Sequence, residues 1–303
     1  TNLYTHPTIS QYVGCANLLL KHEGENPTGS FKDRGMTVGM SQAVKVGARA
    51  AVCASTGNTS SSLAAYAALA GLPSVVFVPF GKITAEMGLY LLNSVNPWRI
   101  EGQKTIIFEM LQQLDWRAPD WIVAPGGNLG NTAAFGKALR ELAALGLIEH
   151  LPRLAVIQAA GANPFVQAFT AGFHRFAPVA AHTIATAINI GNPANYPRAC
   201  RAVVDTNGVA AQVSDEQILE AKAVVDRAGV GCEPASAATV AGVRLLTAQG
   251  VIKSNDLVVG VLTGHVLKDA DAVVSYYTQH GWQPIVAPAD AGAVRRLLEK
   301  ARL

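Results

Sequence analysis

The chain has 303 residues, half of them hydrophobic and only 15% charged. Ordinary soluble domains carry roughly 25% charge, so much of this chain must be buried, and a disordered chain is excluded. The net charge of +3 comes from 24 basic and 21 acidic side chains, with no block of one sign to suit nucleic acid or a membrane, which leaves small-molecule chemistry as the expected function.

Apolar runs of strand length fall at 17–20, 51–54, 75–78, 121–124, 154–157 and 257–262. They alternate with Ala/Leu-rich segments at helical spacing, such as 62–70, 132–147 and 235–248. That alternation predicts an α/β architecture with largely parallel sheets, whose functional loops lie at the carboxyl ends of strands. The uncharged stretch from Leu63 to Phe80 is divided by Gly71 and Pro73, so no transmembrane segment is expected. Thr1-Asn2-Leu3-Tyr4 lacks the basic and apolar regions of a signal peptide, so export is not expected. Cys15, Cys53, Cys200 and Cys232 form no C-x-x-C pair and sit among apolar residues, which fits a reducing cytoplasm and no metal.

Four clusters carry possible chemistry. In Asn26-Pro27-Thr28-Gly29-Ser30-Phe31-Lys32-Asp33-Arg34-Gly35, Pro27 and Gly29 shape a turn and Ser30 is placed to cap a following helix. Lys32 then lies in the first helical turn, where the positive helix end disfavours its ammonium form. In Cys53-Ala54-Ser55-Thr56-Gly57-Asn58-Thr59-Ser60 a strand passes into a helix, presenting amides and hydroxyls to an anion. Pro125-Gly126-Gly127-Asn128-Leu129-Gly130-Asn131-Thr132 does the same with three glycines that admit a phosphate closely. Val261-Leu262-Thr263-Gly264 ends a buried strand with a hydroxyl suited to a ring nitrogen. Each cluster alone also reads as capping, a tight turn or a solvated lysine. Together they supply what a pyridoxal phosphate site needs: an amine, a phosphate loop, a polar group for the ring oxygen and a hydroxyl for the ring nitrogen.

With these residues in view, the sequence resembles the threonine synthases of the tryptophan-synthase-β-like, fold-type-II pyridoxal-phosphate enzymes. The blocks that carry the resemblance are N-P-T-G-S-F-K-D-R-G-M at 26–36, C-A-S-T-G-N-T-S at 53–60, N-S-V-N-P-W-R-I-E-G-Q at 93–103, G-N-L-G-N at 127–131 and L-T-G-H-V-L-K-D at 262–269. Q-A-A-G-A at 158–162, T-I-A-T-A-I-N-I-G-N-P-A at 183–194 and E-P-A-S-A-A at 233–238 resemble further blocks. The resemblance implies Lys32 as the catalytic, Schiff-base lysine, Asn58 at the cofactor ring oxygen, Gly127, Asn128, Leu129, Gly130 and Asn131 around its phosphate, and Thr263 at its ring nitrogen. It implies Ser55, Thr56, Thr59, Asn93, Ser94, Arg99 and Asn128 around the substrate, with Arg99 holding the substrate's phosphate.

The implied fold has two α/β lobes. The smaller, 25–119, holds Lys32; the larger, 1–24 with 120–303, holds the cofactor's phosphate loop. Family members carry several dozen further residues between Gly81-Lys82-Ile83 and the block at 93. The segment between 81 and 92 is therefore expected to be genuinely short or to have residues missing from the count. The implied reaction takes O-phospho-L-homoserine and water to L-threonine and phosphate, by loss of phosphate from the γ carbon and addition of water at the β carbon, in a cytoplasmic homodimer. With a threonine at the ring nitrogen, that nitrogen is expected to be unprotonated. The alternatives are a serine/threonine dehydratase, which has no need of the 93–103 block, and a cofactor-binding protein without turnover.

Overall fold

The computed structural model describes residues 1–55, 57–77, 88–279, 281 and 290–301. In chain order the elements are β1 (Leu3–Tyr4), α1 (Pro7–Val13), β2 (Asn17–His22), α2 (Lys32–Lys45), β3 (Ala50–Ala54), α3 (Asn58–Leu69), β4 (Ser74–Phe77), β5 (Leu89–Leu91), α4 (Pro97–Gln113) and β6 (Trp121–Pro125). They continue as α5 (Gly130–Ala144), β7 (Arg153–Ala159), α6 (Pro164–Thr170), α7 (Tyr196–Asp205), β8 (Val209–Val213), α8 (Asp215–Arg227), α9 (Pro234–Ala248), β9 (Leu257–Leu262), α10 (Ala270–Gln279) and α11 (Ala291–Ala301). Residues 1–268 form one compact unit, and 269–303, with α10 and α11, a second. Most of the short 81–92 segment lies outside the described residues.

Two sheets organise the first unit. The larger has the order β1-β2-β9-β6-β7-β8, all parallel except the β1–β2 pair; the smaller, β4-β3-β5, is wholly parallel. Parallel strands buried on both faces should read as continuous apolar runs, as β6 and β9 do. Their side chains alternate between two cores with the period of two that a pleated strand imposes. Leu18, Leu20, Trp121, Val123, Val258 and Leu262 join residues of α8 and α9 on one face. Ile122, Ala124, Val259 and Val261 join α4 and α5 on the other. The smaller sheet packs Ala51 and Cys53 against Met36 and Met40 of α2 and Leu63 and Ala67 of α3. The architecture is the expected α/β fold with largely parallel sheets.

Helix α2, which begins with Lys32, is fixed to α4 by backbone contact. A Cβ added at Gly102 would lie 2.0 Å from the carbonyl oxygen of Arg34, and one at Gly35 would lie 2.9 Å from that of Arg99. The two helices can approach this closely only without those methyl groups. Gly102→Ala is therefore expected to destabilise the protein by about 1–3 kcal/mol through overpacking. A lower urea midpoint at an unchanged slope would register this; an unchanged midpoint would mean that α4 can slide without cost.

A charged network reinforces the crossing. Arg34 donates to Glu23 at 2.8 Å and to Glu109 at 2.8 Å, and the buried Lys21 donates to Glu109 at 2.6 Å. Burial raises the Glu109 carboxyl's pKa, but hydrogen bonds from Arg34 and Lys21 outweigh it and hold the group well below the usual range. Removing one member would strand its buried partner, which is the costly failure of such networks.

Candidate active site

The carboxyl ends of β9, β6 and β3 and the starts of α2, α4, α5 and α9 supply the predicted site segments, as the architecture requires. A cavity is lined by Lys32, Ser94, Arg99, Gly127, Asn128, Leu129, Gly130, Asn131 and Thr263 of the expected set. Asn58 is not in the lining, but its amide donates to Glu233, which is, at 3.0 Å. Ser55 Oγ accepts from the Gly57 amide at 3.2 Å, Asn93 Oδ1 accepts from the Val95 amide at 3.1 Å, and Thr59 is half-buried at the start of α3. Thr56 lies outside the described residues.

Lys32 opens α2, but Ser30 is not its cap. Phe31 occupies that position with helical angles, and Ser30 Oγ is buried without a partner among the described residues. The backbone explains the difference: the Phe31 amide donates to the Thr263 carbonyl at 3.0 Å and Ser30 bridges to Gly264, so the end of β9 fixes this turn. Lys32 is half-buried, with Nζ 3.6 Å from the centre of the Phe31 ring. Burial, reinforced by Arg99 and opposed by Glu233, lowers its amine to a pKa of about 7. The dominant cause is thus removal from water rather than the helix end.

Arg99 is 2% exposed, and its Nε and Nη1 are buried without a hydrogen-bond partner among the described residues. Burial pushes its guanidinium down to about 10. Its nearest candidates for pairing along α4 are engaged elsewhere, Glu101 with Lys104 and Lys137 and Glu109 with Lys21 and Arg34. A desolvated, unpaired cation facing a cavity is costly unless an anion arrives.

The glycine loop after β6 presents a second anion-binding feature. Leu129 takes a left-handed conformation (φ 60°) at the start of α5 and offers no side-chain cap, leaving the helix-end amides to the cavity. The buried Oδ1 of Asn131 and Oε1 of Gln103 also lack partners among the described residues. These orphaned groups, the lowered amine of Lys32 and the hydroxyl of Thr263 fit pyridoxal phosphate: a nucleophile, a phosphate cradle and a polar group for the ring share one cavity.

Three residues of the site were not singled out from the sequence. Asn195, just past the 183–194 block, is buried and donates through Nδ2 to the carbonyls of Ser94 at 2.8 Å and Asn128 at 3.2 Å, joining the two segments. Gln103 ends the 93–103 block one turn beyond Arg99 and faces the same cavity. Glu233 opens the E-P-A-S-A-A block, and its carboxylate accepts from both Asn58 and Thr263, the latter at 3.2 Å. All three lie at or beside quoted blocks; what the sequence lacked was any sign of their partners.

Comparison with known proteins agrees with this geometry. The family described as pyridoxal-phosphate dependent enzyme matches in two stretches, residues 1–86 and 80–264. A threonine synthase of Methanosarcina acetivorans is 42% identical over 332 residues, covering 98% of this chain and 81% of its own. One of Synechocystis is 41% identical over 309 residues, covering 90% and 78%. Among solved structures, Escherichia coli threonine synthase superposes with a TM-score of 0.72 at 18% identity, over 99% of this chain and 80% of that one, a likeness of fold. The chain thus belongs to the pyridoxal-phosphate-dependent enzymes and, within them, to the threonine synthases, lyases that depend on that cofactor.

Proposed function

We infer that this chain converts O-phospho-L-homoserine and water into L-threonine and phosphate. The single observation that carries the substrate is Arg99, buried, unpaired and lining the same cavity as Lys32. A substrate with only a hydroxyl at its far end would leave that guanidinium without an anion.

Lys32 would hold the cofactor, residues 127–131 would cradle its phosphate, and Thr263 and Asn58 would serve its ring. Bound there, pyridoxal phosphate supplies the conjugated ring that stabilises negative charge on substrate carbon. Lys32 Nζ takes and returns protons at the substrate's α and β carbons, a task suited to an amine whose pKa lies near 7. Arg99, Ser94, Asn93 and Asn128 hold the substrate's phosphate, while Ser55, Thr56 and Thr59 bind its other polar groups. The visible spectrum of the purified protein before and after addition of O-phosphohomoserine, together with phosphate release, tests the reading. Ammonia release from serine or threonine with no preference for the phosphorylated substrate would overturn it in favour of a dehydratase.

The lowered amine has a pH signature. Attack on a carbonyl needs neutral Lys32, half present near pH 7 and only about a tenth at pH 6. Uptake of pyridoxal phosphate by cofactor-free protein should therefore accelerate about tenfold per unit up to pH 7 and level off above 8. A rate still climbing beyond pH 9, read by stopped-flow absorbance, would mean that an ordinary lysine reacts.

The two sheets support the division into a smaller lobe of 25–119 and a larger one of 1–24 with 120–303. The alignment of 332 positions with the Methanosarcina relative exceeds the whole chain, and the two family matches overlap at 80–86. Both features support a chain shortened near 81–92 relative to family members, as either a genuine deletion or residues missing from the count would make it. No helix among the described residues is long and apolar enough to cross a membrane, and all four cysteines are free. The free thiols support a cytoplasmic setting, and the apolar composition together with the family resemblance supports a homodimer.

A further inference from the structure

Asn195 stands at the position just before α7, where an asparagine usually bonds the first amides of its own helix. It makes no such bond. Asn195 is 1% exposed, and its side chain reaches instead to two other segments. Nδ2 donates to the Ser94 carbonyl at 2.8 Å and to the Asn128 carbonyl at 3.2 Å, and Oδ1 accepts from Arg198 at 3.2 Å. A guanidinium only donates and a carbonyl only accepts, so these three partners fix the orientation of the amide and use both its N–H groups. Asn195 therefore has no N–H left to offer a ligand, and it is not among the residues that line the cavity.

The two carbonyls belong to the two segments that meet at the cavity. Ser94 lies in the turn that opens α4 and leads to Arg99. Asn96 holds that turn from its other side, donating through Nδ2 to the Leu91 carbonyl at 2.8 Å and accepting the Trp98 amide on Oδ1 at 3.0 Å. Asn128 lies in the loop after β6, and residues 194–195 grip it beyond the side-chain bond. The Asn195 amide donates to the same carbonyl at 3.2 Å, and the Ala194 amide donates to Asn128 Oδ1 at 3.3 Å. Because a backbone amide can only donate, Asn128 must turn its oxygen to Ala194, which leaves its NH2 for the cavity it lines. The segments approach closely here: a Cβ built on Gly130 would stand 3.0 Å from Oε1 of Gln103, on α4, and 3.8 Å from Asn195 Nδ2.

We propose that Asn195 is a positioning residue for the substrate's phosphate. It straps the turn that carries Ser94 and leads to Arg99 onto the loop that carries Asn128, so that groups from two distant segments meet one phosphate in fixed register. The proposal rests on the assignment of Arg99 and Asn128 to the substrate's phosphate made above. An anion site assembled from separate segments binds tightly when they are held before the ligand arrives, since otherwise part of the binding free energy is consumed in ordering them. Asparagine suits the task. Two donors on one planar group bond two carbonyls at once, whereas alanine offers none and aspartate, of the same size, offers only acceptors.

The test is the affinity of cofactor-loaded enzyme for inorganic phosphate, read by competition against O-phosphohomoserine. In Asn195→Ala the inhibition constant of phosphate and the KM for O-phosphohomoserine should rise together, by about tenfold for two lost hydrogen bonds, with kcat changed less. The lysine-linked absorbance should stay as in wild type. Asn195→Asp keeps the size and the bond from Arg198 but can donate to neither carbonyl, and should show the same weakening. A purely structural asparagine would lower the melting temperature and leave both constants alone. Hydrogen exchange on wild-type holoenzyme decides the matter even where a variant fails to fold: phosphate should slow exchange in 93–99 and in 193–198 together. Unchanged constants in either variant, loss of the lysine-linked absorbance along with phosphate affinity, or protection confined to 93–99 overturns the proposal. If phosphate neither competes nor protects in wild type, the assignment of Arg99 fails and the functional reading with it. Competition in wild type with unchanged constants in the variants defeats only this inference.

Discussion

Replacing Arg99 by leucine is expected to leave cofactor binding and visible colour intact while removing most turnover of O-phosphohomoserine. Loss of a charge-assisted, forked contact to a phosphate dianion costs about 2–5 kcal/mol, or roughly 30-fold to several thousand-fold. An exposed ion pair would be worth only about 0–1 kcal/mol, and the structure removes that reading because Glu101 and Glu109 are occupied by other cations. The same substitution has an opposite effect on the resting protein. Its guanidinium is buried with two nitrogen atoms unpaired among the described residues, so leucine should stabilise the phosphate-free protein by about 1–3 kcal/mol. Inorganic phosphate should raise the wild-type melting temperature and compete with substrate, and should do neither in the variant. Normal turnover by the variant, or equal protection by phosphate in both proteins, would remove Arg99 from the substrate site.

Lys32→Ala is expected to abolish the lysine-linked visible absorbance and to lower turnover by at least the 10²–10⁴-fold of lost proton transfer, roughly 3–5 kcal/mol. The proposed phosphate cradle at 127–131 remains in this variant, so cofactor should still bind, reversibly and without a covalent link. Dialysis would then strip it from the variant far faster than from wild type. Retained colour after dialysis would place the attachment elsewhere. The two substitutions separate the roles cleanly: one keeps the cofactor and loses the substrate's phosphate, the other keeps the anion sites and loses the nucleophile.

Much of the proposed site was legible in the sequence because its parts are local. A strand followed by a Gly- or Ser/Thr-rich turn and a helix start is a contiguous signal, and it located the 53–60 and 127–131 loops and put Lys32 at the head of a helix. The larger sheet was readable for the same kind of reason, since strands buried on both faces are unbroken apolar runs. Strand β5 has three residues and β8 reads V-A-A-Q-V, too short and too alanine-rich to stand out by β propensity. The expected cap at Ser30 failed because a local preference was outweighed by backbone bonds from Phe31 and Ser30 to the end of β9.

What the sequence by itself determined was which residue types stand at which turns: a lysine, a Ser/Thr-rich and a Gly-rich loop, an arginine and a terminal hydroxyl. Tertiary structure alone decided the state in which each is held. Burial, not helix position, lowers the amine of Lys32; the pairing of Glu101 and Glu109 with other cations leaves Arg99 without a carboxylate partner along α4; Asn195 joins Ser94 to Asn128 across about a hundred and about seventy residues of chain; and the Glu233 carboxylate draws together Asn58 and Thr263. The physical reason is common to all four. Charge state and hydrogen-bond direction depend on desolvation and on partners brought from distant parts of the chain, and no local pattern of residues encodes those.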